Sequence, residues 1–133
     1  MKKSLFILTA LITFGLITFS CKKDHDHAHV EIEILSPTDN ATLSNPASTN
    51  INIKFSSEED LHDIEVILIN ETTGDSIAPF NPLEIHQHVK NYELNQTVDL
   101  SSYPAGTEFH LEATACETHE CTEKATKSIH FRK

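Results

Sequence analysis

Nine histidines stand in a chain of 133 residues, and their spacing is the first chemical signal. His25, His27 and His29 fall at i, i+2 and i+4. In an extended chain those side chains point the same way, because successive residues alternate faces. His86 and His88 repeat the His-x-His spacing, again on one face of a strand or extended loop. Neutral imidazole is the commonest metal ligand and suits zinc and copper. Two such rings can share one ion, with a third ligand from an aspartate or another strand. These five are the candidate metal ligands, for zinc or copper. Asp24 and Asp26 alternate to the opposite face and join the first group only where the segment is loose. The bland alternative is that both groups are solvated polar residues of a tether and a surface loop. The single histidines His62, His110 and His130 read as exposed strand or loop positions.

The stretch Cys116-Glu-Thr-His-Glu-Cys121 is the other constellation. Four residues between two cysteines fit a hairpin loop. Facing residues across an antiparallel ladder have Cα atoms ~4.5–5.5 Å apart, within disulfide range. A Cys116–Cys121 disulfide is the expected state, closing a small loop and modestly stabilising the hairpin. Its rivals are a metal site of two thiolates with His119, helped by Glu117 or Glu120, and a reactive redox pair. A Cys116–His119 nucleophile is disfavoured, because the surrounding glutamates would raise a thiol pKa. The chain has no Gly-x-Ser-x-Gly, no His-Glu-x-x-His and no phosphate-binding glycine loop, with three glycines in all. The expectation is a protein that is not an enzyme.

The N-terminus sets the context for these side chains. Lys2 and Lys3 precede an uncharged apolar run from Leu5 to Phe19, and Ser20 precedes Cys21. This resembles a bacterial lipoprotein signal, with Thr18-Phe19-Ser20-Cys21 at the position of the lipobox. An ordinary secretory signal with an incidental cysteine is the alternative. The resemblance implies that residues 1–20 are removed and that the Cys21 thiol is acylated. Acyl chains, at about 0.8 kcal/mol per buried methylene, would hold a small domain on a membrane. Residues 21–28 then form a polar, His-rich tether and residues 29–133 the folded domain. Lys22, not aspartate, follows Cys21, which points away from inner-membrane retention and towards the outer membrane, on its periplasmic or surface face. A blocked amino terminus excludes an amine–copper motif, so any site must use side chains alone.

Charge narrows the partners. The chain carries 10 basic and 20 acidic residues. Loss of residues 1–20 takes Lys2 and Lys3 with it, leaving a formal charge of −12. Nucleic-acid partners, which need Lys and Arg to neutralise phosphates, are excluded on that balance. Adhesion to anionic headgroups beyond the anchor is disfavoured, whereas cations are attracted. In an exported chain, cysteine pairing is the default.

Period-two alternation supplies the scaffold. It predicts strands over Val30–Ile34, Ile51–Phe55, Ile64–Leu68, His86–Val89, Leu94–Leu100, Phe109–Ala115 and Ala125–Phe131. The third, apolar on both sides, reads as central. Asn70–Asp75 is a turn, Ser76–Ala78 a brief pairing segment, and Pro79 and Pro82 break regular structure. No helical periodicity follows the N-terminal run. About seven short strands fit an all-β, antiparallel sandwich.

The segments IEILSPTDNATL, INIKFSSEEDLHDIEVILIN and DLSSYPAGTEFHLEATACE resemble an immunoglobulin-like domain of bacterial envelope proteins. The likeness covers residues 29–133. It lacks the tryptophan and inter-sheet disulfide of antibody domains, and Tyr103 stands near the place of a tyrosine corner. The chain also resembles small His-rich lipoproteins of this kind, of unknown function, with His86 and His88 as the corresponding cluster. What this implies is a membrane-anchored, non-enzymatic protein that takes up a transition metal. The other reading is a structural or adhesive module for an envelope protein or polysaccharide partner.

Overall fold

The computed structural model describes residues 29–45 and 47–133. Its regular structure is all β, with no helix among the described residues. The strands are β1 (Glu31–Ser36), β2 (Ala41–Thr42), β3 (Ser48–Asn70), β4 (Leu83–Asp99), β5 (Glu108–Cys116) and β6 (Ala125–Arg132). Hydrogen bonding orders them β1-β3-β5-β6-β2, with β4 also on β3.

Two long strands replace four of the short ones expected. Ile51–Phe55 and Ile64–Leu68 lie in one strand, β3, of 23 residues. His86–Val89 and the segment from Leu94 lie in β4, of 17 residues. The physical reason is the stretch Ser56-Ser57-Glu58-Glu59-Asp60, which holds neither glycine nor proline to stop a strand. The Lys90 ammonium donates to the Glu58 carbonyl at 2.5 Å and ties the two long strands at this point. The short β2 pairs with β6 in parallel, so the sheet is mixed rather than wholly antiparallel.

The long ribbon changes partners along its length. The first half of β3 lies between β1 and β4; the second half lies between β4 and β5. The third predicted strand is therefore central, as its two-sided apolarity suggests. The inward phase changes with the partners. Ile51, Ile53, Phe55 and Leu61 are buried at odd positions, then Ile64, Val66 and Leu68 at even ones. Register shifts fall between Ser56 and Leu61 and between Leu61 and Asp63. A one-residue slip exchanges the two faces of a strand. Leu61 is the last inward residue of the old phase and His62 the first of the new.

Both halves of the curled sheet share one core. Phe109 sits within it, stacked on Phe131 at 5.2 Å and met edge-on by Tyr103 at 5.5 Å between ring centroids. Beyond β3, Gly74 takes φ +78° and donates its N–H to the Asn70 carbonyl at 2.8 Å, closing the expected turn. The chain then bridges Ser76 to Ile69, buries Ile77 and Phe80, and passes Pro82 into β4.

Candidate metal centre

The site grows from the register slip in β3. Asp63 lies opposite His86 of β4 on one side and Cys116 of β5 on the other, making a row across three strands. His62 turns inward from the adjacent position and is 9% exposed. Three imidazoles cover it. Its ring centroid is 4.2 Å from that of His86, 4.8 Å from that of His88 and 4.6 Å from that of His119, all edge-on. One ligand atom from each of His62, His86 and His88 lies within 4.8 Å of the other two. Tetrahedral zinc with bonds of about 2.0–2.1 Å needs nitrogens ~3.3 Å apart, so closure takes only a small side-chain shift.

Hydrogen bonds prepare these nitrogens. His86 Nδ1–H donates to Asp63 Oδ1 at 2.6 Å. That tautomer leaves the His86 Nε2 lone pair free, the usual arrangement in which a carboxylate orients a metal-binding imidazole. The same bond holds the Asp63 carboxyl below the usual carboxylate range; desolvation opposes the shift and His62 adds to it. His119 Nδ1 and His62 Nε2 are 2.9 Å apart, a distance that requires a shared proton. His62 Nδ1 is 3.2 Å from Asp63 Oδ2, close enough for an ion pair. No hydrogen bond of good geometry reaches this buried nitrogen, although His62 is close enough to help hold the Asp63 carboxyl down. The contact is an electrostatic one at most, and it leaves the Nδ1 lone-pair direction unfilled.

The loop after β5 brings in His119. Cys116 and Cys121 are bonded as a disulfide, with Cα atoms 5.4 Å apart. Within the loop, the Cys121 N–H donates to the Thr118 carbonyl at 3.0 Å, and Ser57 donates to the Glu117 carboxylate. Cys121 Sγ lies 3.3 Å from Asp63 Oδ2, a contact only, since a disulfide sulfur has no proton to donate. His119 thus faces His62 while the sulfurs face Asp63, so the expected rival of two thiolates with His119 is not assembled here. An open groove of about 530 Å³ runs beside Asp63, His86 and the disulfide, and of the four imidazoles only His86 lines it.

The structure unites His86 and His88 and adds His62 and His119, which sequence reasoning left out of the metal set. His62 was expected on the surface; its burial corrects that, and the slip between Leu61 and Asp63 is the cause. The signal was present, since His62 is in phase with Ile64, Val66 and Leu68. His29 is exposed and belongs to none of the His, Cys and acid clusters among the described residues. Cys21, His25 and His27 lie outside the described residues.

No protein-family model matches the chain, and no curated protein matches its sequence. Solved structures of OgpA from Akkermansia muciniphila do resemble it in shape. The catalytically inactive form in complex with an O-glycopeptide substrate has a TM-score of 0.50 at 12% identity, over 80% of this chain and 29% of that one. A wild-type crystal form has a TM-score of 0.48 at 12% identity, over 77% of this chain and 28% of that one. The chain spans less than a third of the length of either. At this identity the likeness concerns the β fold alone.

Proposed function

We propose that this is a non-enzymatic, lipid-anchored envelope protein that holds a transition-metal ion, zinc or copper, on His62, His86 and His88, with His119 closing the site. The observation that carries the reading is His62. A buried polar atom left without a hydrogen bond costs about 1–3 kcal/mol. Such a cost, at the centre of four imidazoles on three chain segments, is explained by an ion that uses the nitrogen. Asp63 orients His86, and a proton kept on His62 Nε2 by the bond to His119 leaves Nδ1 as the ligand atom. Because neutral imidazoles are the ligands, affinity falls below about pH 6. Buffering, scavenging or delivery of the ion are the roles such a site suits.

The anchor in this reading is an acyl group on Cys21, supported by the lysines, the apolar run and Ser20 before it. The outer membrane is its proposed location. The fold in this reading is an immunoglobulin-like sandwich. Support comes from the long ribbon, whose two halves pair with β1 and with β5 while sharing one core.

Calorimetric titration of the untagged chain with Zn²⁺ and Cu²⁺ tests the site. The His86→Ala/His88→Ala protein should lose the tightest binding event. An isotherm unchanged by those substitutions would remove the site.

A further inference from the structure

A second histidine pair lies on the outward face of the sheet, where β5 meets β6. His110 and His130 are directly opposite in the antiparallel register. Their rings are 4.7 Å apart between centroids, and His110 Nδ1 faces His130 Nε2 at 3.4 Å. The outward nitrogen of each ring has a carboxylate beside it. His130 Nδ1–H donates to Glu71 Oε1 at 2.9 Å. His110 Nε2 is 3.7 Å from Glu112 Oε2. At this distance one ring can donate to the other, and an ion that displaces that proton would meet a lone pair from each ring. The 3.4 Å separation matches the ~3.3 Å between two nitrogens on a tetrahedral zinc ion.

The backbone beneath the pair is fixed. The His130 N–H donates to Asp39 Oδ1 at 2.9 Å, and its carbonyl accepts from the Asn40 N–H at 2.6 Å. Both rings reach solvent, with side chains 24% and 52% exposed. Glu71, His110 and His130 form one cluster, each with a ligand atom within 4.8 Å of the other two, and Glu71 is held on the Nδ1 edge of His130. Along β5, six residues separate His110 from Cys116, about 20 Å at strand spacing, so this pair is remote from the His62 cluster.

We propose that His110 and His130 form a second, independent metal site, a two-imidazole chelate for a late first-row divalent ion such as Zn²⁺. Glu71 orients His130 through Nδ1, and water completes the ligand set of the filled site. Nothing in this proposal depends on the His62 cluster.

The test is Zn²⁺ stoichiometry by calorimetry in the untagged chain carrying His25, His27, His29, His86 and His88 as alanines. That background should bind one Zn²⁺. Adding His110→Gln should weaken the event at least tenfold, His130→Gln should do the same, and the unfolding midpoint should stay in place because both rings are on the surface. A background that binds no Zn²⁺, or binding indifferent to both substitutions, would overturn the proposal. In the otherwise unmodified chain, His110→Gln/His130→Gln should lower the stoichiometry by one while sparing the His86-dependent event. Loss of that event as well would show that the two sites are not independent.

Discussion

The two histidine clusters of this domain are built by opposite means. His110 and His130 use the regular ladder: they face each other across β5 and β6, and each ring reaches water. The His62 cluster uses an irregularity. A slip in β3 turns His62 into the core, β4 lays His86 and His88 against it, and a cross-linked loop adds His119. The ladder pair can open to solvent at little cost. The His62 cluster buries a nitrogen without a hydrogen bond at the end of the apolar column of Ile64, Val66 and Leu68. The difference teaches that a regular ladder leaves its polar side chains to solvent, whereas a register slip can bury one.

The largest expected effect follows from that asymmetry. His62→Leu should weaken Zn²⁺ binding at the first site by about 100-fold or more, beyond what loss of an orienting neighbour costs. The same substitution removes a buried unsatisfied nitrogen but also the His62–His119 hydrogen bond, so metal-free stability in urea unfolding should change by no more than about 1 kcal/mol. A destabilised His62→Leu protein with normal binding would reverse the comparison. Next comes the disulfide. Cys116→Ala/Cys121→Ala should lower the unfolding free energy by about 2 kcal/mol, from the loop-closure estimate for so short a loop. It should also weaken the first site roughly tenfold by freeing His119, if removing a positioning element costs what removing an orienting partner does. The pair on β5 and β6 should not respond.

Asp63→Asn should weaken binding at the first site by about tenfold, the lower end for a partner that orients a ligand. It carries a pH signature too. The folded-state pKa of Asp63 is lowered, chiefly by the hydrogen bond from His86. Its stabilising contribution is therefore present above the unfolded value of about 3.9 and is lost as the pH falls through the lower folded value. Acid unfolding curves of the metal-free protein should show that loss, and Asp63→Asn should flatten it. The smallest effect belongs to the exposed pair. His110→Gln/His130→Gln should change metal-free stability by no more than about 0.5 kcal/mol, the usual range for surface positions.

Particular residues show how far the sequence could be read. Alternation located the apolar columns Ile51-Ile53-Phe55, Ile64-Val66-Leu68 and Phe109-Leu111-Ala113, because a half-buried strand writes its inward face at every second position. It could not show that the first two columns belong to one strand. That depends on a bend carried by Ser56 to Asp60, which a slipped register accommodates without any turn residue. His86 and His88 were legible because they are neighbours in sequence. His62 and His119 were not, because their meeting depends on where β3 slips and on how the Cys116–Cys121 loop returns. The pairing of His110 with His130 was hidden for a simpler reason. Cross-strand neighbours are set by the register of β5 on β6, which no local pattern states.

The central claim is that the rings around His62 surround an ion. Crystals of the untagged chain grown with Zn²⁺ and measured above the zinc absorption edge test it most directly. The account predicts an anomalous peak bonded at about 2.0–2.1 Å to nitrogens of His62, His86 and His88. Clear density for those rings with no peak between them, under conditions where zinc appears elsewhere on the molecule, would contradict it.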